Sequence, residues 1–218
     1  MTKFLPVVET FHSLQGEGFH SGKSAFFIRL AGCRVGCSWC DTKQSWNSQR
    51  YPLKSIEELS SATEKAIENG ASFLVITGGE PLHHNLHFFC KTIKALNESI
   101  SIHLETSGVD PLSGSYDWVT LSPKRHHPPQ NSFLKLCDEV KVIINTEEDI
   151  TFAKTIKKKI SKLYSESKIK TTEPLCKKNY YIQPSWNSKN GLNLSIEFAK
   201  TNPDWSLSIQ THKYLNLR

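Results

Sequence analysis

Three cysteines stand within eight positions, in Cys33-Arg-Val-Gly-Cys37-Ser-Trp-Cys40, and thiols that close in sequence can reach one metal centre without help from distant residues. Their number decides the kind of centre. Four protein ligands close a structural zinc site, whereas a [4Fe–4S] cube held by three thiolates keeps one iron open for an outside ligand. The remaining cysteines, Cys90, Cys137 and Cys176, are scattered through a 218-residue chain that is too large to need disulfide staples, and they read as ordinary reduced thiols. A distant Cys or His closing a fourth position would turn the same loop into a zinc or RNA-binding module, so the rest of the chain has to arbitrate.

Five further groups of residues stand out: Gly78-Gly79-Glu80-Pro81, Glu105-Thr-Ser107-Gly108, Ser122-Pro123-Lys124, Gln183-Pro184-Ser185-Trp186 and Gln210-Thr-His212-Lys213. Taken singly, each reads as turn punctuation. Their placement is more informative. Apolar, β-rich runs at 26–30, 73–77, 102–105, 118–121, 180–183 and 207–210 precede the cysteine loop and these five groups, and a seventh run lies at 140–144.

Helical patterns separate several of the runs. Ser55-Ile-Glu-Glu58 forms a capping box ahead of Ile56, Leu59, Ala66 and Ile67, and Gly70 closes that helix. Leu86, Phe89, Ile93 and Leu96 repeat at helical spacing, as do Ile150, Ala153, Ile156 and Ile160 after Thr146, and a last helix is expected over 195–200. Strand and helix alternating in this way predict an α/β fold with parallel strands and right-handed crossovers. The groups then gather at the carboxyl ends of the strands, where such sheets and barrels place ligands, and one shared site follows.

Composition narrows the classes. With 38% hydrophobic residues the chain supports one core, and a single domain over 1–218 is expected. It has no run of about 20 apolar residues and no apolar region behind Met1, so neither a membrane span nor a signal peptide is read, and a cytoplasmic setting is expected. The net charge of +6 owes much to Lys154, Lys157, Lys158, Lys159, Lys162, Lys168, Lys170, Lys177 and Lys178. This stretch has no arginine and one aromatic, Tyr164, and reads as a solvated helix face rather than a nucleic-acid surface. The adjacent His126 and His127, flanked by prolines, read as a loop and not as a second metal site.

Cys-x3-Cys-x2-Cys resembles the cluster loop of radical S-adenosylmethionine (SAM) enzymes. With Gln15-Gly16-Glu17-Gly18 upstream and His212-Lys213 near the end, the chain from about Glu9 onward resembles the 7-carboxy-7-deazaguanine synthase family of that superfamily. The resemblance implies an open, partial (β/α)6 TIM-like barrel, usually homodimeric, with a [4Fe–4S] cluster on Cys33, Cys37 and Cys40. It implies contraction of 6-carboxy-5,6,7,8-tetrahydropterin to 7-carboxy-7-deazaguanine with loss of ammonia, and an electron donor such as a flavodoxin or ferredoxin.

The resemblance also implies that SAM is held by Gly78, Gly79, Glu80, Glu105, Ser107, Ser122, Pro123, Lys124, Gln183, Pro184, Ser185 and Trp186. Leu14, Gln15, Gly16, Glu17, Arg29, Thr77 and His212 would face the substrate, with the terminal carboxylate of Arg218 reaching toward it. Arg29, on the first expected strand, can offer a bidentate fork to a carboxylate or can be a plain surface arginine. Thr42 would help to hold Mg2+ together with substrate oxygens and water, and His212 would hydrogen-bond the substrate or shuttle a proton. A radical SAM activase acting on a protein partner shares the cysteine loop and Gly-Gly-Glu, but it has no use for Gln15-Gly16-Glu17-Gly18 or His212.

Overall fold

The structure, a computed structural model, describes residues 3–166 and 178–218. Lys168, Lys170, Cys176 and Lys177 lie outside the described residues.

Nine strands form one sheet in the order β3-β1-β2-β4-β5-β6-β7-β8-β9. Seven of them are parallel neighbours: β2 (Ser24–Leu30), β4 (Leu74–Gly78), β5 (Ile102–Thr106), β6 (Trp118–Leu121), β7 (Glu139–Ile144), β8 (Asn179–Pro184) and the short β9 (Trp205–Leu207). At the other edge, β1 (Phe4–Leu14) runs antiparallel to β2 and to β3 (Leu53–Ser55). The two edge strands, β3 and β9, do not meet, so the barrel is open.

The helices are α1 (Ile56–Glu68), α2 (His87–Leu96), α3 (Asn131–Leu136), α4 (Glu147–Glu166), α5 (Lys189–Thr201) and α6 (Thr211–Tyr214). The capping box of Ser55 and Glu58 opens α1, and Gly70 follows it in the left-handed region at φ +96°. The apolar stripe of α4, Ile150, Ala153, Ile156 and Ile160, is buried. Between β5 and β6 the chain crosses without a helix.

Two strands escaped the sequence reading. Mixed polarity and Pro6 hide β1, which is half exposed, and β3 is only three residues long. The last strand lies at 205–207 instead of 207–210, because buried Trp205 sets its register by packing on Tyr180 and Phe198. Helix α5 begins six residues before the expected 195. Ser188 caps it by accepting the Gly191 amide, and Gly191 fits there because a β-carbon would lie 2.3 Å from the Ile144 carbonyl oxygen.

Alternation along the strands divides the interior into two compartments. Ile28, Leu30, Leu74, Ile76, Ile102, Leu104, Val119, Leu121, Val140 and Val142 are at most 2% exposed and form the core under the helices. The residues between them point the other way, into the barrel. Nearer the amino ends that inward row is apolar, with Ala25, Phe27, Phe73 and Val75 in a small buried cluster; toward the carboxyl ends it turns polar, and Arg29, Thr77, Glu105, Thr120, Lys141 and Gln183 all line one cavity.

Candidate active site

The cavity has a volume of about 400 Å³ and opens at the carboxyl ends of the parallel strands. Of the residues singled out in the sequence as site residues, only Pro123 does not line it. Pro123 is buried behind the mouth instead.

One wall is the cysteine loop. It is pinned at its base, where the amides of Gly32 and Cys33 donate to the carbonyls of Ser45 and Trp46 at 2.7 and 3.1 Å, and within itself, where the Cys40 amide donates to Cys37 at 3.1 Å. His126 reaches it from outside, with Nε2 3.0 Å from the Val35 carbonyl oxygen and its ring edge-on to Trp39. The loop after β6 therefore braces the cysteine loop, a role that the sequence reading did not give it. Cys33, Cys37 and Cys40 are free thiols, and all three face the cavity.

Burial pushes the Cys33 and Cys37 thiols upward, and the neighbouring thiols of the loop push the same way. A bound cation reverses both effects, so the donor set, soft and mutually repelling when ionised, fits an iron–sulfur cluster. Among the described residues no three His, Cys, Asp or Glu side chains are arranged around a single ion; a cube does not ask that of them, since each thiolate takes a different iron. Lys124, drawn downward by burial and upward by Cys37, donates to Ser122 Oγ at 2.6 Å beside this wall. The Thr42 hydroxyl lies 3.5 Å from Cys40 Sγ.

The floor is the turn after β4. Gly78 has φ +137°, and a β-carbon on it would fall 2.1 Å from the Leu30 carbonyl oxygen; one on Gly79 would fall 2.3 Å from that of Gly32. The two glycines let the end of β4 lie flush on the start of the cysteine loop, where the amides of Gly79 and Glu80 donate to Leu30 and Gly32, both at 2.9 Å. Glu80, 2% exposed, ties this turn to the end of β5. Its carboxylate accepts from Thr106 Oγ1 at 2.6 Å, from the Ser107 amide at 2.8 Å and from the Ser107 hydroxyl. Glu105, the next inward residue, accepts from Gln15 Nε2 at 3.0 Å and Thr77 Oγ1 at 2.9 Å.

The opposite wall joins the β1–β2 loop to the C-terminal segment. A β-carbon on Gly16 would fall 2.2 Å from the His212 ring, and one on Gly18 2.1 Å from Glu139. Both glycines in Gln15-Gly16-Glu17-Gly18 thus make room for a side chain from the far end of the chain or from β7. Thr211 donates to the Gly16 carbonyl through its amide and its hydroxyl, both at 3.0 Å, and Gln210 Nε2 donates to Glu17 at 2.8 Å. Lys213 closes the wall against the cysteine loop: it pairs with Asp41 and lies over the Trp186 ring, 5.0 Å from its centroid. Arg29 Nε donates to Glu9 at 3.0 Å, Arg218 pairs with the other Glu9 oxygen, and Ser13 Oγ donates to the Arg218 carbonyl at 2.8 Å.

Lys141, inward on β7, was missed. It pairs with Glu17 and both side chains are largely buried. Burial works against the charge of each, but the pair wins: Lys141 holds Glu17 well below the usual carboxylate range, and Glu17, Glu105 and Glu139 hold Lys141 above the usual lysine range. Glu139 goes the other way, raised to about 7 by burial. Two charged residues at alternate positions of the otherwise apolar Glu139-Val-Lys141-Val-Ile-Ile were the signal in the sequence. A strand that buries both faces has no use for them unless one face is a polar cavity.

A cavity at the carboxyl ends of a parallel α/β barrel, walled by three thiols and a row of inward polar side chains, defines a radical SAM enzyme, and the sequence profile of the Radical SAM superfamily matches residues 27–138. Within it, the chain is 51% identical over 228 residues to the 7-carboxy-7-deazaguanine synthase of Prochlorococcus marinus, covering all of both chains. It is 44% identical to that of Synechocystis sp., covering 100% of this chain and 96% of the relative. The crystal structure of QueE from Escherichia coli superposes with a TM-score of 0.75 at 30% identity, over 96% of this chain and 95% of that one. The chain belongs to the 7-carboxy-7-deazaguanine synthase family. A [4Fe–4S] cluster and SAM are its cofactors, its substrate is a small molecule, and among the described residues no helix is long and apolar enough to cross a membrane.

Proposed function

We propose that this chain converts 6-carboxy-5,6,7,8-tetrahydropterin to 7-carboxy-7-deazaguanine with loss of ammonia, a step toward queuosine and other 7-deazapurines. The observation that carries this reading is the pairing, across one cavity, of a three-thiol loop with a wall of hydrogen-bonding groups, Gln15, Glu17, Arg29 and Thr77, in a family named for that product.

Cys33, Cys37 and Cys40 hold the cluster. When bound, the cluster would supply the one-electron reduction of SAM on which the radical chemistry depends. Carbonyls of the turn at Gly78, Gly79 and Glu80 receive the SAM ammonium, and the amides of Gly79 and Glu80, donors that would repel it, are spent on Leu30 and Gly32. Glu105 and Ser107 accept from the ribose hydroxyls. Ser122 and Lys124 flank the ribose or carboxylate with Pro123 behind them, and Gln183, Pro184, Ser185 and Trp186 line the adenine.

On the substrate side, Leu14, Gln15, Gly16 and Glu17 read the donor and acceptor edge of the pterin. Arg29 grips its carboxylate: with Nε engaged by Glu9, its two terminal nitrogens remain for a fork. Thr77 and Arg218 complete the contact, and His212 donates a hydrogen bond or moves a proton. Thr42 would contribute its hydroxyl to a bound Mg2+, a hard cation that substrate oxygens and water would also suit. The walls keep water from the reacting atoms. A single domain over 1–218, a homodimer, a flavodoxin or ferredoxin as reductant and a cytoplasmic setting belong to the same reading.

One anaerobic assay tests it. Reconstituted protein, SAM, dithionite, Mg2+ and the pterin are expected to give 5′-deoxyadenosine and 7-carboxy-7-deazaguanine, and Cys37→Ala neither. Deoxyadenosine without the deazaguanine would reject the substrate; neither product from protein with an intact cluster would reject the reaction.

A further inference from the structure

The charges inside the barrel do not balance in pairs. Three carboxyl groups, those of Glu17, Glu105 and Glu139, surround the buried ammonium of Lys141. Lys141 gives its contact to Glu17, while Glu105 is taken by Gln15 and Thr77 and Glu139 by the Phe19 amide at 3.0 Å. The other Glu17 oxygen accepts from Gln210. A carboxylate gripped from behind at both oxygens keeps a lone pair on each for a ligand, and the low dielectric strengthens any bond made there.

We propose that Lys141 is the positioning residue of the ligand-reading wall: its ammonium fixes Glu17 as an anionic acceptor facing the cavity, and the site thereby selects a heterocycle that offers two adjacent N–H donors. The inference rests on the pterin reading above, since the aminopyrimidinone edge of a pterin carries such a pair. A neutral residue at position 141 would leave a buried carboxylate uncompensated, and such a group takes up a proton. One oxygen would then donate instead of accept, and the match to two donors would be lost.

The groups that face this pair come from every side of the cavity. His212 and Gln210 approach Glu17 from the C-terminal segment, Glu105 and Glu139 approach Lys141 from β5 and β7, and Lys124 lies near both from the loop after β6. Lys124 is bonded to Ser122, and burial favours the neutral His212 ring. Among the described residues, Lys141 is thus the cation in contact with Glu17.

The test compares Lys141→Met, Lys141→Arg and the double variant Glu17→Gln with Lys141→Met. First, the Glu17 carboxyl is titrated by 13C NMR in the protein without substrate. Its midpoint is expected to rise by about two units or more in Lys141→Met and to stay near the wild-type value in Lys141→Arg. Second, pterin affinity is measured calorimetrically against pH. Lys141→Met is expected to bind about tenfold or more weakly at neutral pH and to recover as pH rises, with Lys141→Arg restoring most of the loss. A Glu17 midpoint that does not move, or a pterin affinity unchanged at every pH, overturns the proposal. If Lys141→Met does not fold, the double variant decides: without the Glu17 charge it is expected to fold and to bind weakly at every pH, and wild-type affinity would overturn the proposal. Wild-type protein that binds no pterin refutes the substrate reading, while the Glu17 titration still decides the role of Lys141.

Discussion

The two walls of the cavity are held by opposite means. The cysteine wall and the floor beneath it rest on backbone contacts, such as Gly32 to Ser45 within the loop and Gly79 to Leu30 between the ends of neighbouring strands. The opposite wall rests on contacts between residues about 200 positions apart: Gln210 with Glu17, Thr211 with Gly16, Ser13 with Arg218. Side chains make most of them, and two ion pairs, Lys213 with Asp41 and Arg218 with Glu9, add to them. Backbone bonds do not titrate and respond little to salt, whereas ion pairs do both. The first wall should therefore fail all at once and the second by degrees.

The largest effect is expected at Cys37. Two thiolates do not hold the cube, so Cys37→Ala should lose the cluster entirely, seen as loss of iron and acid-labile sulfide with the fold retained. Gly78→Ala comes next: strain at φ +137° and the contact with Leu30 should together cost about 3 kcal/mol in chemical denaturation. Wild-type stability there would mean that the floor can yield like the opposite wall.

Glu139 puts pH on the second wall. Its folded pKa of about 7 exceeds the usual 4.5, so the folded state keeps a proton that the unfolded chain releases. Stability falls as pH rises from 4.5 to 7, and the penalty is complete above 7. Glu139→Gln should then stabilise the protein by on the order of 2 kcal/mol at pH 8 and leave stability unchanged at pH 4; equal effects at both would remove Glu139 from the pH response. Glu17 has the opposite sign, since its lowered pKa gives stability that is lost as pH falls below the usual carboxylate range.

Two smaller effects separate the walls further. Gly16→Ala must displace His212 and is expected to weaken pterin binding about tenfold, near 1.4 kcal/mol, with iron content unchanged. Lys213→Ala removes a partly exposed pair with Asp41 and should cost under about 1 kcal/mol, a loss that high salt abolishes. Cluster loss in either variant would show that the walls are not independent.

The legibility of the site follows the same division. The cysteine loop, the turn at Gly78 and Gly79 and the cap at Ser55 are local: spacing, chirality and hydrogen-bond reach fix what they can do, and the sequence alone placed the first two at strand ends and the third at the start of a helix. The strands β1 and β3 were not legible, because β1 mixes polar and apolar residues around Pro6 and β3 is too short to show a period. Nor was Lys141, although its alternation with Glu139 pointed inward once a polar cavity was known.

From the sequence came the alternation that makes a parallel barrel, the three-thiol loop and the residues that gather at its mouth, since each depends on neighbours within a few positions. Only the tertiary structure decided which groups already spend their bonds on one another. Glu80 holds Ser107 and Thr106, Arg29 shares Glu9 with Arg218, and Lys141 sets the charge of Glu17. Those partnerships join strands and termini far apart in the chain, and burial gives them their strength, so no spacing along the sequence encodes them.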